Sequence, residues 1–155
     1  DGTPQVLVRM GSSGQPELDP FSHRVVATLE ERRIPYTLVP VCLDPKPSWF
    51  YSITQNAKVP AMFHEGTVVD SSDLILDYTD FMWPSHSKVT KVRGQPQVAT
   101  NFFQHAISLA RGSGEVEEHR SKVLSGLRSA QVLVEQRRSK YFGGDRLGDA
   151  DLKLA

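Results

Sequence analysis

The first half of the chain switches repeatedly between the short rhythm of strands and the longer rhythm of helices. Gln5–Met10 reads Q-V-L-V-R-M, a short apolar run that predicts a strand. Residues 11–18 carry Gly, Ser and Pro and read as a loop. Asp19-Pro20 then marks a helix start. Aspartate accepts from free N–H groups at an N-cap, and proline fits the first helical position because its missing N–H had no partner. Phe21, Val25 and Leu29 recur at every fourth residue and predict one apolar stripe, and Pro35 stops the helix behind the charged run Glu30-Glu31-Arg32-Arg33. Residues 36–43 are apolar and β-branched, a second strand. Asp44-Pro45-Lys46-Pro47 is a turn, and Trp49, Phe50 and Ile53 suggest a short helix. Residues 59–63 read as a strand led by a proline, His64-Glu65-Gly66-Thr67 as a hairpin turn, and Val68-Val69 as the return strand. Ser71 or Ser72 caps a helix reaching about Trp83, with Leu74, Ile75, Tyr78, Phe81 and Met82 expected on one face and Pro84 at its end.

The resulting order is β-α-β-α-β-β-α, which predicts a small mixed sheet with helices on both faces. The character changes beyond it. Val98, Phe102, Ile107 and Leu109 suggest one helix, Gly112 to Gly114 a break, and Val116, Val123, Leu127, Ala130 and Val134 a second helix. The expected division is therefore an α/β domain at 1–84, a linker at 85–95, and an all-helical segment at 96–155.

Composition narrows the function. Lysine plus arginine and aspartate plus glutamate each number 18 in 155 residues, so no net basic charge points to a nucleic-acid partner. No apolar run approaches the ~20 residues of a membrane-spanning helix, which leaves only a peripheral role on a membrane complex. Cys42 is the single cysteine, which excludes an internal disulfide, a C-x-x-C redox pair and a multi-cysteine zinc site. Its neighbours Leu38, Val39, Val41 and Leu43 predict a buried strand residue. His23, His64, His86, His105 and His119 show no metal-ligand spacing. No metal site is expected, and the histidines read as solvated or capping residues.

Six stretches, in order, resemble the glutathione transferase superfamily, above all its dehydroascorbate reductases; the omega transferases and the intracellular chloride channel proteins are similar relatives. Asp19-Pro20-Phe21-Ser22-His23-Arg24-Val25 resembles C-P-F-S-Q-R-V, and Leu43-Asp44-Pro45-Lys46-Pro47-Ser48-Trp49-Phe50 resembles L-x-x-K-P-x-W-F. Lys58-Val59-Pro60 resembles a K-V-P motif whose proline is cis in the family. Ser71-Ser72-Asp73-Leu74-Ile75 resembles D-S-D-V-I. Tyr141-Phe142-Gly143-Gly144 and Leu147-Gly148-Asp149-Ala150-Asp151-Leu152 resemble the approach to the family's sixth helix.

The resemblance implies a thioredoxin-like N-terminal domain that holds glutathione, followed by an all-α C-terminal domain that is incomplete here. It implies glutathione contacts at Lys46, Val59, Pro60, Ser72 and Asp73. A valine before a cis proline can offer its backbone to the cysteinyl part as an added strand would. A serine opening a helix can meet the γ-glutamyl carboxylate, because helix N-termini favour anions. A lysine at Lys46 can pair with the glycine carboxylate, and reads equally well as a solvated surface residue. Ser72 also reads as a cap, Val59 as strand core, and Asp73 as a complement to the helix dipole.

The departures set the functional expectation. The family's dehydroascorbate reductases use a thiolate at the N-cap, its pKa lowered by the helix end. Asp19 stands at that position, so no catalytic residue is assigned. Aspartate keeps an anion and a good cap but forms neither a disulfide nor a sulfenic acid. Ser71 stands where the family prefers an acidic residue, with Asp70 as a displaced substitute. Gly148 stands where a Ser or Thr cap is usual, with Asp151 keeping the other half of a capping box. The expected function is a transferase-like pseudoenzyme, a non-catalytic binding or accessory subunit of a larger protein complex. It binds no cofactor tightly and takes glutathione as a possible ligand. The alternative is an active glutathione-dependent transferase using the hydroxyl of Ser12, Ser13 or Ser22. A membrane-inserting role has little support, because Glu30, Glu31, Arg32, Arg33 and Pro35 interrupt residues 20–43. The plant and algal resemblance points to a plastid, with the cytosol as the alternative.

Overall fold

The computed structural model of the chain describes residues 2–84, 96–136, 140, 141, 145, 148 and 151. The chain divides into two compact units, Asp1–Ser87 and Lys88–Ala155. Among its described residues the first holds five strands and three helices in the order β1 (Gln5–Met10), β2 (Pro16–Glu17), α1 (Pro20–Glu31), β3 (Thr37–Val41), α2 (Ser48–Ile53), β4 (Ala61–His64), β5 (Thr67–Asp70) and α3 (Ser72–Met82). The expected linker at 85–95 lies outside the described residues.

Strand β1 is the centre of the sheet. It pairs in parallel with β3, from Gln5↔Thr37 to Arg9↔Val41, and antiparallel with β4, from Gln5↔Phe63 to Leu7↔Ala61. Strand β5 completes the hairpin with β4 through the turn at Glu65-Gly66. β1 is covered on both faces, which is why three successive residues, Val6, Leu7 and Val8, are all buried. Alternation sends Val6 and Val8 to one face, where they pack with Val25, Leu29, Ile34, Met62, Ile75 and Leu76 under α1 and α3. Leu7 points the other way, into a cluster with Val41, Phe50, Ala57 and Ala61. Phe50, fully buried, anchors the short helix α2, and burial of such a side chain contributes roughly 1.5–3 kcal/mol.

The thioredoxin-like arrangement read from the sequence is present, with corrections to its details. The loop at 11–18 contains the short strand β2, held by Arg9↔Glu17 and Met10↔Pro16. On α1, Val25 and Leu29 are fully buried but Phe21 is 40% exposed. A four-residue spacing overshoots the 3.6-residue turn each time, so the stripe has drifted off the buried face by Phe21. On α3, Leu74 and Phe81 point outward, while Ser72, Ile75, Leu76 and Thr79 are buried. The helix has two apolar faces, and the one against the sheet includes small hydroxyl residues. Thr28 and Thr79 fit there because each donates to its own helix, Thr28 Oγ1 to the Arg24 carbonyl at 2.8 Å and Thr79 Oγ1 to the Ile75 carbonyl at 2.6 Å. Cys42 is half-buried just beyond β3 rather than inside it, and its thiol donates to the Asp44 carbonyl at 3.3 Å. His64 is not solvated. It is 4% exposed, donating from Nε2 to the Gly2 carbonyl at 2.8 Å and accepting from the Tyr78 hydroxyl at Nδ1, 2.9 Å away. A central strand must bury this end of β4, and a buried imidazole is tolerated when both nitrogens are satisfied.

The second unit contains α4 (Pro96–Ala110) and α5 (Val116–Gln136) with the predicted break between them. The two pack closely at Gly126, where an added Cβ would lie 3.2 Å from the Phe102 Cβ. His105 and His119 meet across this pair, Nδ1 to Nδ1 at 2.8 Å. Most of the 141–144 and 147–152 motifs lies outside the described residues. Gly148 and Asp151 lie within them and form the reciprocal cap, with the Gly148 N–H donating to Asp151 Oδ2 at 2.7 Å and the Asp151 N–H donating to the Gly148 carbonyl at 3.1 Å.

Candidate functional site

The first element of the site is the start of α1. Asp19 sits at the N-cap in extended conformation with Pro20 behind it. Its Oδ1 accepts from the N–H groups of Phe21 at 2.8 Å and Ser22 at 3.0 Å, and its Oδ2 accepts from the Ser22 hydroxyl at 3.0 Å. Both carboxylate oxygens are thus turned back onto the helix. The carboxylate satisfies the helix end electrostatically but has no proton to donate to a bound ligand. Ser22, fully buried, has its hydroxyl hydrogen committed to Asp19. Ser12 and Ser13 are exposed in the turn between β1 and β2.

The second element is the approach to β4. The Val59–Pro60 peptide bond is cis. The β4 ladder begins at Ala61, so Val59 stands just past the end of the sheet with no backbone partner found among the described residues. The preceding loop is anchored twice. Thr54 closes onto the Phe50 carbonyl through its N–H and its hydroxyl, at 3.1 and 2.7 Å. The Asn56 N–H donates to Asp70 Oδ2 at 3.0 Å. The carboxylate that the sequence suggested as a displaced substitute beside Ser71 therefore supports the loop carrying Val59.

The third element is the start of α3. Ser71 is the N-cap, at φ 96° and ψ 146°, and its hydroxyl accepts from the Leu74 N–H at 3.5 Å. That leaves Ser72 as the first helical residue, 6% exposed. Arg24 reaches it from α1, donating from Nη2 to Ser72 Oγ at 3.2 Å and to Asp73 Oδ1 at 2.6 Å. Eight residues along α1, Arg32 makes the matching ion pair with Asp80. Sequence reasoning did not single out Arg24. The signal was present: Arg24, Thr28 and Arg32 recur at four-residue spacing beside Val25 and Leu29, a polar line inside an apolar stripe.

The fold ties Arg24, Ser72 and Asp73 together across α1 and α3, and Asp19 and Ser22 together at the start of α1. Lys46 is part of neither set. It lies between Pro45, whose bond to Asp44 is also cis, and α2, with its ammonium 6.0 Å from the Tyr51 ring centroid. No group of three or more metal-ligating side chains occurs among the described residues, and no helix among them is long and apolar enough to cross a membrane.

Comparison with known proteins gives a consistent picture. A family model described as "Glutathione S-transferase, N-terminal domain" matches residues 20–80. The "Probable glutathione S-transferase DHAR4" of Arabidopsis thaliana is 34% identical over 150 residues, covering 93% of this chain and 69% of that protein. The "Probable glutathione S-transferase DHAR2, chloroplastic" of Oryza sativa subsp. japonica is 29% identical over 136 residues. That match covers 88% of this chain and 49% of the rice protein, so the chain spans about half the length of that relative. The solved dehydroascorbate reductase of Chlamydomonas reinhardtii shares the fold, with a TM-score of 0.81 at 23% identity over 98% of this chain and 72% of that one.

Proposed function

The chain belongs to the glutathione S-transferase family, and from that premise we propose that it is a glutathione-binding member that has lost the family's thiol chemistry and acts by binding, as an accessory subunit of a protein complex. The observation that carries the reading is Asp19, whose carboxylate takes the N-cap of α1 with both oxygens engaged. In relatives of the dehydroascorbate reductase type, a thiolate is expected there. A carboxylate cannot form the mixed disulfide through which such a thiolate turns over. Nor can it stabilise a glutathione thiolate by donating a hydrogen bond, since an ionised carboxylate only accepts.

Three groups support retention of the groove: the cis Val59–Pro60 bond at the end of β4, the buried Ser72 at the start of α3, and Asp73 beside it. They are proposed to meet the cysteinyl backbone, the γ-glutamyl carboxylate and the γ-glutamyl ammonium respectively. Lys46, with no tie to the other groups, is assigned the glycine carboxylate. The serine-dependent transferase gains nothing from Ser22, whose hydroxyl already donates to Asp19.

Named relatives include chloroplastic and cytosolic proteins, and the plastid is the compartment proposed for this chain. The reading is tested by titrating the full chain with reduced glutathione and then supplying dehydroascorbate or a standard electrophile. Measurable binding with no turnover is expected. Turnover of either substrate would overturn it. Co-purification from the native source identifies the partner subunits.

A further inference from the structure

We infer that Asp19 makes the groove selective for glutathione whose sulfur is uncharged, the class that includes its S-alkyl conjugates, and excludes forms whose sulfur carries a negative charge; this rests on the glutathione reading above. A free helix N-terminus offers an anion both unpaired N–H groups and a positive potential. In the 12-residue helix α1, Asp19 takes both for itself. Its Oδ1 accepts from the N–H groups of Phe21 at 2.8 Å and Ser22 at 3.0 Å, the donors an incoming anion would need. What meets the ligand there is the carboxylate, an acceptor with a negative charge, on a helix end whose attraction for anions is already satisfied.

The charge cannot swing aside. Oδ2 accepts from the Ser22 hydroxyl at 3.0 Å, and Ser22 is 0% exposed, so three hydrogen bonds hold the carboxylate to the helix it caps. Turning it away from an anionic sulfur would leave a buried hydroxyl and two N–H groups unmet. Nor is the charge neutralised, since no ion pair to Asp19 is found among the described residues. Asp19 is half-buried, and two like charges a few ångströms apart at such a place repel enough to weaken binding by about tenfold or more. An uncharged sulfur meets no such penalty. Leu18 and Phe21, close to the cap in sequence, are 36% and 40% exposed, and their apolar surface suits an S-alkyl group better than a charged one.

A site that rejects bulk at the sulfur predicts no effect of a same-sized neutral residue at Asp19, whereas a site that rejects charge predicts a change confined to the anionic ligand. The test is calorimetric titration at neutral pH of the unmodified full chain, D19N and D19S. The ligands are glutathione, S-methylglutathione, whose sulfur is neutral, and glutathione sulfonate, whose sulfur group is permanently anionic. The unmodified chain is expected to prefer S-methylglutathione over the sulfonate by about tenfold or more. Asparagine keeps the shape and the cap without the charge. In D19N the preference should fall to about twofold, through tighter binding of the sulfonate and unchanged affinity for the thioether. Serine is also a good neutral cap, and D19S supplies the readout should D19N not fold. Retention of the full preference in the folded neutral variant overturns the inference. An unmodified chain that binds glutathione but does not favour S-methylglutathione over the sulfonate overturns the inference alone. A chain that binds none of the three ligands overturns the glutathione reading and the inference together.

Discussion

Replacing Asp19 by alanine should cost far more than replacing it by asparagine, and the difference can be worked from the three hydrogen bonds at the start of α1. In D19A the N–H groups of Phe21 and Ser22 lose their common acceptor. Loss of an N-cap of this kind costs about 1 kcal/mol. The Ser22 hydroxyl, fully buried, also loses the carboxylate it donates to, which costs about 1–3 kcal/mol for a buried group left unmet. The expected total is about 2–4 kcal/mol. In D19N the amide oxygen still caps the helix, and the amide nitrogen can donate to Ser22 Oγ instead. The loss there is the anion's interaction with the helix end, about 0.3–1 kcal/mol. Urea unfolding followed by tryptophan fluorescence measures both, because Trp49 and Trp83 both lie in the Asp1–Ser87 unit. The midpoint of D19A should fall well below that of D19N at unchanged slope. Equal midpoints would show that the carboxylate is not integrated into the fold, and the account of a cap that preserves the scaffold would fail.

Asp80→Ala leaves the buried Arg32 without its ion-pair partner and should destabilise by about 3–5 kcal/mol; an unchanged unfolding midpoint would refute the burial argument. Asp70→Ala frees the Asn56 N–H and loosens the loop that carries Val59, so glutathione should bind about three- to tenfold more weakly with little loss of stability; unchanged affinity by calorimetry refutes the anchoring role. Burial, reinforced by the hydrogen bond to Glu30, pushes the Tyr36 phenol up to about 12 from its ordinary 10.0. Both folded and unfolded chains hold that proton below pH 10.0. Stability should therefore be level there, then fall as pH rises toward 12, with the Tyr36→Phe variant showing a flatter decline in urea midpoint over the same window.

The parts of the fold legible in the sequence were those where local chemistry and burial agree. Gln5–Met10 is a strand by composition and the central strand in space, and Asp19-Pro20 is a cap by chemistry and a cap in the structure. The misplaced parts depend on contacts between distant segments. β2 is two residues long and exists only because it pairs with the end of β1. The outward turn of Leu74 and Phe81 follows from which face of α3 meets α1, where Thr79 and Ser72 pack and apolar periodicity carries no sign of them. His64 was read as solvated because nothing in its neighbours announces the Gly2 carbonyl and the Tyr78 hydroxyl that satisfy it. Near the candidate site, the cap at Asp19 and the cis bond before Pro60 were readable. The support behind them was not, because Arg24 is 48 residues from Ser72 and Asp70 is 14 from Asn56 in the chain.

The most direct test of the central claim, that one substitution removed the chemistry from an otherwise sound site, is glutathione-dependent reduction of dehydroascorbate by the D19C variant beside the unmodified chain. The unmodified chain should not exceed the uncatalysed rate. D19C should exceed it and lose the gain on alkylation. The account is contradicted if D19C folds and binds glutathione yet remains inert.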